Sequence, residues 1–218
     1  TATVGANTIS FTMVPGNYYT VQVTIQNADN SISVRSFLVL ASTSNLSLQT
    51  AGANEICLPD TKEYTINTTA VGGIRNNYPG TIYTVDWGDG VTTTYTHCEL
   101  LQNNGSISHE YTQTSCGRPP ITDIVPNQYN AFRVNVTASN NFCSNSFTPI
   151  SSFAKVWERP EANFNNPEYG CINTPITFTN TSSVGLSGSN NAQNCTSATM
   201  YEWYVDGVFV SSATNLVH

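Results

Sequence analysis

Three pairs of landmarks recur along this chain at one spacing. Cys57 and Cys171 open two similar stretches, ICLPDTKEYTINTT and GCINTPITFTNTS, 114 residues apart. Trp87 in VDWGDG and Trp203 in YEWYVDG stand 116 residues apart, and Val23 in YTVQVTIQNADN and Val136 in FRVNVTASNNF stand 113 apart. A period near 115 residues is a domain rather than one turn of a solenoid, so the chain reads as domains in tandem. The 218 residues start and stop in mid-repeat. Residues 1–40 read as the second half of one unit, 41–156 as a complete unit, and 157–218 as the first half of a further one. A unit of that size can bury roughly two-thirds of its unfolded surface, enough for its own core. Half a unit leaves one sheet's apolar face in water. The flanking halves therefore need completion, by further chain or, head to tail, by a second copy.

Strand signals dominate each unit. Tyr19, Val21, Val23 and Ile25 alternate with Thr20, Gln22 and Thr24, and Phe132, Val134 and Val136 alternate with Arg133, Asn135 and Thr137. That period of two marks half-buried strands. Tyr64 and Ile66, then Ile176 and Phe178, mark an early strand, and Tyr83, Val85 and Trp87 mark the strand that carries the tryptophan. Turn chemistry separates the runs at Pro15-Gly16, Asn27 to Asn30, Gly88-Asp89-Gly90, Asn103-Asn104-Gly105, Asn140-Asn141 and Asp206-Gly207. The expected fold is all-β, a series of antiparallel sandwiches of the immunoglobulin kind. Residues 116–127 and 183–199 lack alternation and read as surface insertions, where recognition is usually carried. The stretch 156–161 reads as a short stiff linker.

Charge and cysteine usage narrow the function. Only 10% of residues are charged and the net charge is −7, so no basic stripe exists for nucleic acid or an anionic membrane surface. No apolar run reaches the roughly 20 residues of a membrane span. Cysteines stand at 57, 98, 116, 143, 171 and 195, without a CxxC pair or a His at finger spacing. Cys98 follows His97, but strand neighbours point to opposite faces, so metal is a poor account of them. An even number points instead to disulfides and an oxidising, extracellular compartment. Six cysteines allow 15 connectivities. The expected set is Cys57–Cys143, Cys98–Cys116 and Cys171–Cys195, the first worth on the order of 4 kcal/mol by loop entropy.

Chemistry-bearing residues are few. Asp86 and Asp89 flank Trp87, and a weak Ca²⁺ site is one reading of them. The plainer reading has Asp89 holding a tight glycine-flanked turn through backbone N–H groups, with Asp86 facing solvent. His109 beside Glu110 offers no base and partner on one strand face, and no nucleophile motif occurs. No cofactor and no catalysis are expected. Trp87 and Trp203 could stack on sugars, but a tryptophan at this strand position is the usual sandwich core plug. Tyr18, Tyr19, Tyr78, Tyr129 and Tyr169 lie beside turn residues, where tyrosine supplies contact area at low entropic cost. Sequons begin at Asn45, Asn67, Asn104, Asn135, Asn180 and Asn194, a pattern that an Asn/Thr-rich chain shows by chance.

The order Cys57, VDWGDG at 85–90, His109-Glu110-Tyr111, FRVNVTASN at 132–140 and Cys143 resembles a PKD repeat, an immunoglobulin-like module. The first segment resembles that module's second half through VPGNYYTVQVTIQNADN. The last resembles its first half through RPEANF, GCINTPITFTNTSS and YEWYVDG. The 116–127 insertion and the YVDG form after Trp203 depart from the pattern. The resemblance implies structural roles for Trp87, His109, Tyr111 and Trp203, with His109 packing near the WGDG turn. It also implies a giant surface adhesin of gliding, Bacteroidetes-type bacteria, exported by the type IX system. The expected partners are neighbouring repeats of the same chain and a surface polysaccharide or protein ligand. Two alternatives stay open: a carbohydrate-binding accessory module of a secreted hydrolase, and a self-assembling fibre subunit.

Overall fold

Residues 2–4, 8–142, 147–188, 194–197 and 200–218 are described by a computed structural model of the chain. The order is β1 (Ala2–Val4), β2 (Ile9–Phe11), β3 (Tyr18–Gln26), β4 (Ile32–Leu40), β5 (Leu48–Thr50), β6 (Glu55–Cys57) and β7 (Thr61–Ile66), then a 3-10 turn at Ile74–Asn76. Next come β8 (Ile82–Asp86), β9 (Thr92–Thr96), the helix α1 (His97–Gln102), β10 (Ser106–Glu110), β11 (Phe132–Ser139) and β12 (Ile150–Trp157). The last elements are β13 (Phe164–Asn165), β14 (Thr177–Asn180), β15 (Ser187–Gly188), β16 (Cys195–Thr196), β17 (Trp203–Val205), β18 (Val208–Ser211) and β19 (Leu216–Val217). The fold is all-β, as the alternation and turn chemistry require.

One short helix escapes that pattern. Thr96 caps α1: its hydroxyl accepts the Glu99 N–H at 3.2 Å, and Glu99 Oε2 accepts the Thr96 N–H at 2.7 Å. This capping box satisfies two orphan donors reciprocally, and its Thr-x-x-Glu signature is in the sequence. His97 and Cys98 thus open a helical turn and do not lie on a strand, which corrects the placement expected above.

The chain divides into two compact units, each assembled from three stretches. The first comprises Thr1–Ala51, Glu63–Ser108 and Asn135–Ser151. Here β8 pairs antiparallel with β9 on one edge and with β11 on the other, Val85 opposite Val136 and Tyr83 opposite Ala138. Strand β5 pairs with β7, Leu48 opposite Ile66. Tyr64 of β7 and Trp87, just past β8, bring these two ladders face to face, ring centroids 6.1 Å apart. Tyr64, Ile66, Ile74, Tyr83, Val85, Trp87, Leu100, Ile107 and Val136 are buried between them. Gly105, at φ 77, closes the turn after α1 where a Cβ would overlap the Ile66 carbonyl. Strands β3 and β4 form a hairpin, Val21 opposite Phe37 and Tyr19 opposite Val39, turned by Asn27–Asn30 with Asn30 at φ 65.

The second unit comprises Gly52–Lys62, His109–Val134 and Ser152–His218. Strand β6 runs parallel to β12, Glu55 opposite Lys155 and Cys57 opposite Trp157. Tyr111, Ile121, Ala131, Phe132, Val134, Ala154, Val156 and Leu216 are buried. Ser115 ties this interior together: its hydroxyl donates to the Asn130 carbonyl at 2.6 Å and accepts the Val156 N–H at 2.8 Å. The expected linker is bonded rather than free. Glu158 and Glu161 exchange backbone bonds with Leu186 and Ser183, and Arg159 pairs with Asp60 at 2.6 Å. The 183–199 insertion also contains a short ladder, with Ser187 opposite Thr196 and Gly188 opposite Cys195. Strands β13, β14 and β19 form a three-stranded sheet, and among the described residues β17 pairs with β18 alone.

Candidate functional site

The Trp-Gly-Asp-Gly turn follows from its residue types. Gly88 and Gly90 take φ values of 80 and 99, which a side chain would strain, and the Trp87 N–H reaches the Val91 carbonyl at 3.0 Å. Asp89 Oδ1 accepts the Val91 N–H at 3.0 Å, and Asp86 Oδ1 accepts the Gly88 N–H at 2.9 Å. Both carboxylates therefore close local turns, and Asp86 is also exposed, as the sequence suggested. A hard cation such as Ca²⁺ takes six to eight oxygen ligands. Among the described residues, no group of three or more His, Cys, Asp or Glu side chains comes together to hold a metal.

Trp87 is fully buried, its indole N–H donating to Thr93 Oγ1 at 2.9 Å, as a buried tryptophan requires. His109 packs edge-on against Tyr111 at 4.6 Å, and Tyr111 stacks flat on Phe132 at 4.9 Å.

A buried polar hub lies in the first unit, centred on Asn77, which the sequence did not single out. Asn77 donates to the Asn45 carbonyl at 2.7 Å and to Tyr83 Oη at 2.9 Å. Its Oδ1 accepts the Thr43 hydroxyl at 2.8 Å and the Asn45 N–H at 3.0 Å. Tyr83 Oη lies 3.3 Å from His97 Nδ1. Burial pushes the Tyr83 phenol up to about 12, against the lowering bond from Asn77. Burial also holds the His97 imidazole below its ordinary value. Every atom named is paired within the hub, so its work is to fix the loops around it.

Trp203 differs from Trp87. It is half-buried, and its indole N–H donates to the Ala213 carbonyl at 2.8 Å. Phe164 meets it edge-on at 5.5 Å and Phe178 lies 6.5 Å away. These rings line an open cavity of about 420 Å³ together with Met200, Tyr201 and Leu216, with Glu202 the one charged residue in its wall. The expected core role is thus only half realised: among the described residues, β17 has a ladder partner on one edge alone.

Of the five tyrosines suggested for contact, Tyr18 and Tyr169 present open rings, at 62% and 85% exposure. Tyr19, Tyr78 and Tyr129 are half-buried; Tyr19 Oη accepts the Val14 N–H and Tyr78 packs on Phe142.

The disulfide pattern is corrected. Cys116 bonds Cys195, Cα to Cα 5.5 Å across 79 residues, so neither Cys98–Cys116 nor Cys171–Cys195 forms. Cys98 and Cys171 are exposed thiols. Cys57 is half-buried on β6, and its expected partner Cys143 lies outside the described residues. Each expected pair lay within one repeat. Instead, the 116–127 and 183–199 insertions each supply one half-cystine to the other.

An all-β module stapled in this way is of the kind that oxidising, extracellular compartments hold. Among the described residues no helix is long and apolar enough to cross a membrane. No family model matches the chain, and no curated protein matches it. Among solved structures it is similar to the PKD domain of the human VPS10 domain-containing receptor SorCS2. That match has 19% identity and a TM-score of 0.35, over 53% of this chain and 74% of that one. It is also similar to the FN1–FN3 domains of chicken CNTN1, at 13% identity and a TM-score of 0.32, over 79% of this chain and 55% of that one. Both TM-scores lie below 0.5, and the functional reading below rests on the chain's own residues.

Proposed function

We propose that the chain is a non-enzymatic structural and adhesive segment of a long, repetitive extracellular surface protein. One observation carries the reading: the polar side chains that could have formed a site are spent on architecture. Asp86 and Asp89 close local turns, Thr96 and Glu99 cap α1, Asn77 ties Thr43 and Asn45 to Tyr83, and Ser115 bonds both Asn130 and Val156. The 115-residue period and the crosslink between insertions suit a load-bearing thread whose partners are its own neighbouring repeats. The resemblance to PKD repeats extends the proposal to a cell-surface adhesin of gliding bacteria, delivered by type IX secretion. Antiparallel ladders resist extension when loaded in shear, so single-molecule stretching should show discrete unfolding peaks with hysteresis on relaxation. Smooth, reversible extension would sink the stalk reading. Glycan-array binding abolished by Trp203→Ala would instead favour the carbohydrate-binding accessory module.

A further inference from the structure

We propose that consecutive repeats of this chain dock on one another through a joint that recurs at both repeat boundaries, and that the two insertions lock its second occurrence. Each joint is built on the linker. In the first unit, the Gly16 N–H donates to the Ala41 carbonyl at 2.7 Å, and the Ala41 N–H to the Asn17 carbonyl at 3.0 Å. Two residues on, the Thr43 N–H donates to the Asn76 carbonyl at 2.7 Å and the Thr43 hydroxyl to Asn77 Oδ1 at 2.8 Å. In the second unit, the Ser115 N–H donates to the Val156 carbonyl at 2.9 Å, and Ser115 Oγ accepts the Val156 N–H at 2.8 Å. Two residues on again, Glu158 and Leu186 exchange backbone bonds at 3.1 and 3.0 Å. Ala41 and Val156 stand 115 residues apart, as do Thr43 and Glu158, which is the period of the repeat itself. Each linker thus bonds backward to the residues ahead of β3 or β11. It bonds forward to the loop between the next repeat's early strand and its tryptophan strand, β7 to β8 or β14 to β17.

Burial and close approach agree. A free tether runs in solvent. Ala41, by contrast, is 8% exposed and Val156 is fully buried. The repeats also touch directly. A Cβ on Gly16 of the first would lie 2.6 Å from Asn76 Oδ1 of the second, and one on Gly188 of the third 2.7 Å from Asn130 Nδ2 of the second. The compact units follow the joints and not the repeats, since each gathers residues from both sides of one boundary. What closes the two joints differs. Asn77 closes the first by bonding Thr43 and Asn45 together. In the second, the 116–127 insertion follows Ser115 directly, Leu186 belongs to the 183–199 insertion, and Cys116–Cys195 crosslinks the two. The insertions are therefore a clasp for the neighbouring repeat, in place of the recognition loops that their composition suggested. A boundary stitched to both neighbours does not swing as a flexible linker does. This holds whether or not the chain adheres to anything.

Amide hydrogen exchange on the full chain, read residue by residue by NMR, tests the joints. The Ala41, Thr43, Val156 and Glu158 N–H groups should exchange about 100-fold or more below the unfolded-chain rate, because opening them requires undocking. Asn77→Ala should release Thr43 and Asn45 while Glu158 keeps the parent rate. Gly188→Leu should speed exchange at Glu158 and Leu186 and lower the Cys116–Cys195 fraction in a non-reducing peptide map, while Thr43 keeps the parent rate. Unfolded-chain rates at all four linker amides, in a parent chain whose circular dichroism shows it folded, would overturn the proposal. So would two folded variants that leave these rates and the crosslink at parent values. Should either variant fail to fold, the parent rates decide by themselves.

Discussion

Serine at both Cys116 and Cys195 removes the crosslink while leaving the surrounding bonds in place. Ile121 and Gln128 keep their mutual backbone pair, and Ser187 and Gly188 keep their ladder to Thr196 and residue 195. The effect then falls chiefly on the unfolded chain. Releasing a loop of 79 residues restores conformational entropy worth about 4.5 kcal/mol at room temperature in the chain-entropy model. A domain's urea slope of about 2 kcal/mol per molar converts that into a midpoint lower by roughly 2 M. Domains are stable by only about 5–15 kcal/mol, so the second unit would lose a large share of its margin. Urea titration followed by far-ultraviolet circular dichroism and tryptophan emission reads the shift, since half-buried Trp157 lies beside Gly188 in that unit. Reductant added to the parent chain should reproduce the same loss. An unchanged midpoint would refute the reasoning, as would a non-reducing peptide map showing Cys98–Cys116 or Cys171–Cys195.

Trp87→Ala should cost about 3–5 kcal/mol, because a fully buried indole leaves a cavity opposite Tyr64 and strands the Thr93 hydroxyl; equilibrium unfolding measures it. Gly105→Ala should destabilise by about 2 kcal/mol or more, combining a left-handed backbone with overlap on the Ile66 carbonyl, and a loss below a few tenths would contradict the turn geometry. The His97 ring is held below its ordinary 6.5 by burial, so the unfolded chain binds that proton more readily than the folded one. Its contribution is complete above pH 6.5 and drains away as pH falls through the lower folded value. Stability of the parent should drop on acidification through that window, and His97→Gln should flatten the dependence.

Much of the strand content was legible because side chains alternate with a period of two whatever the tertiary setting. Tyr83 and Val85 turn inward while Asp86 turns outward, as their residue types demand, and Ile82 turns outward with Asp86 by the period alone. The Thr96–Glu99 capping box was equally written in the chain, though hidden among strand signals. Asn77 gave no local sign of its role, since its side-chain bonds go to three residues 6 to 34 positions away.

Local pattern thus set the strands, the turns and the repeat, because each depends on a few consecutive residues and on backbone sterics. Long-range packing decided which cysteines met and how deeply each tryptophan sank. Trp87 and Trp203 hold the same place in the repeat, yet one is sealed and the other lies half in solvent. Burial is a property of the neighbours: among the described residues, β8 has a strand on both edges, whereas β17 has β18 alone.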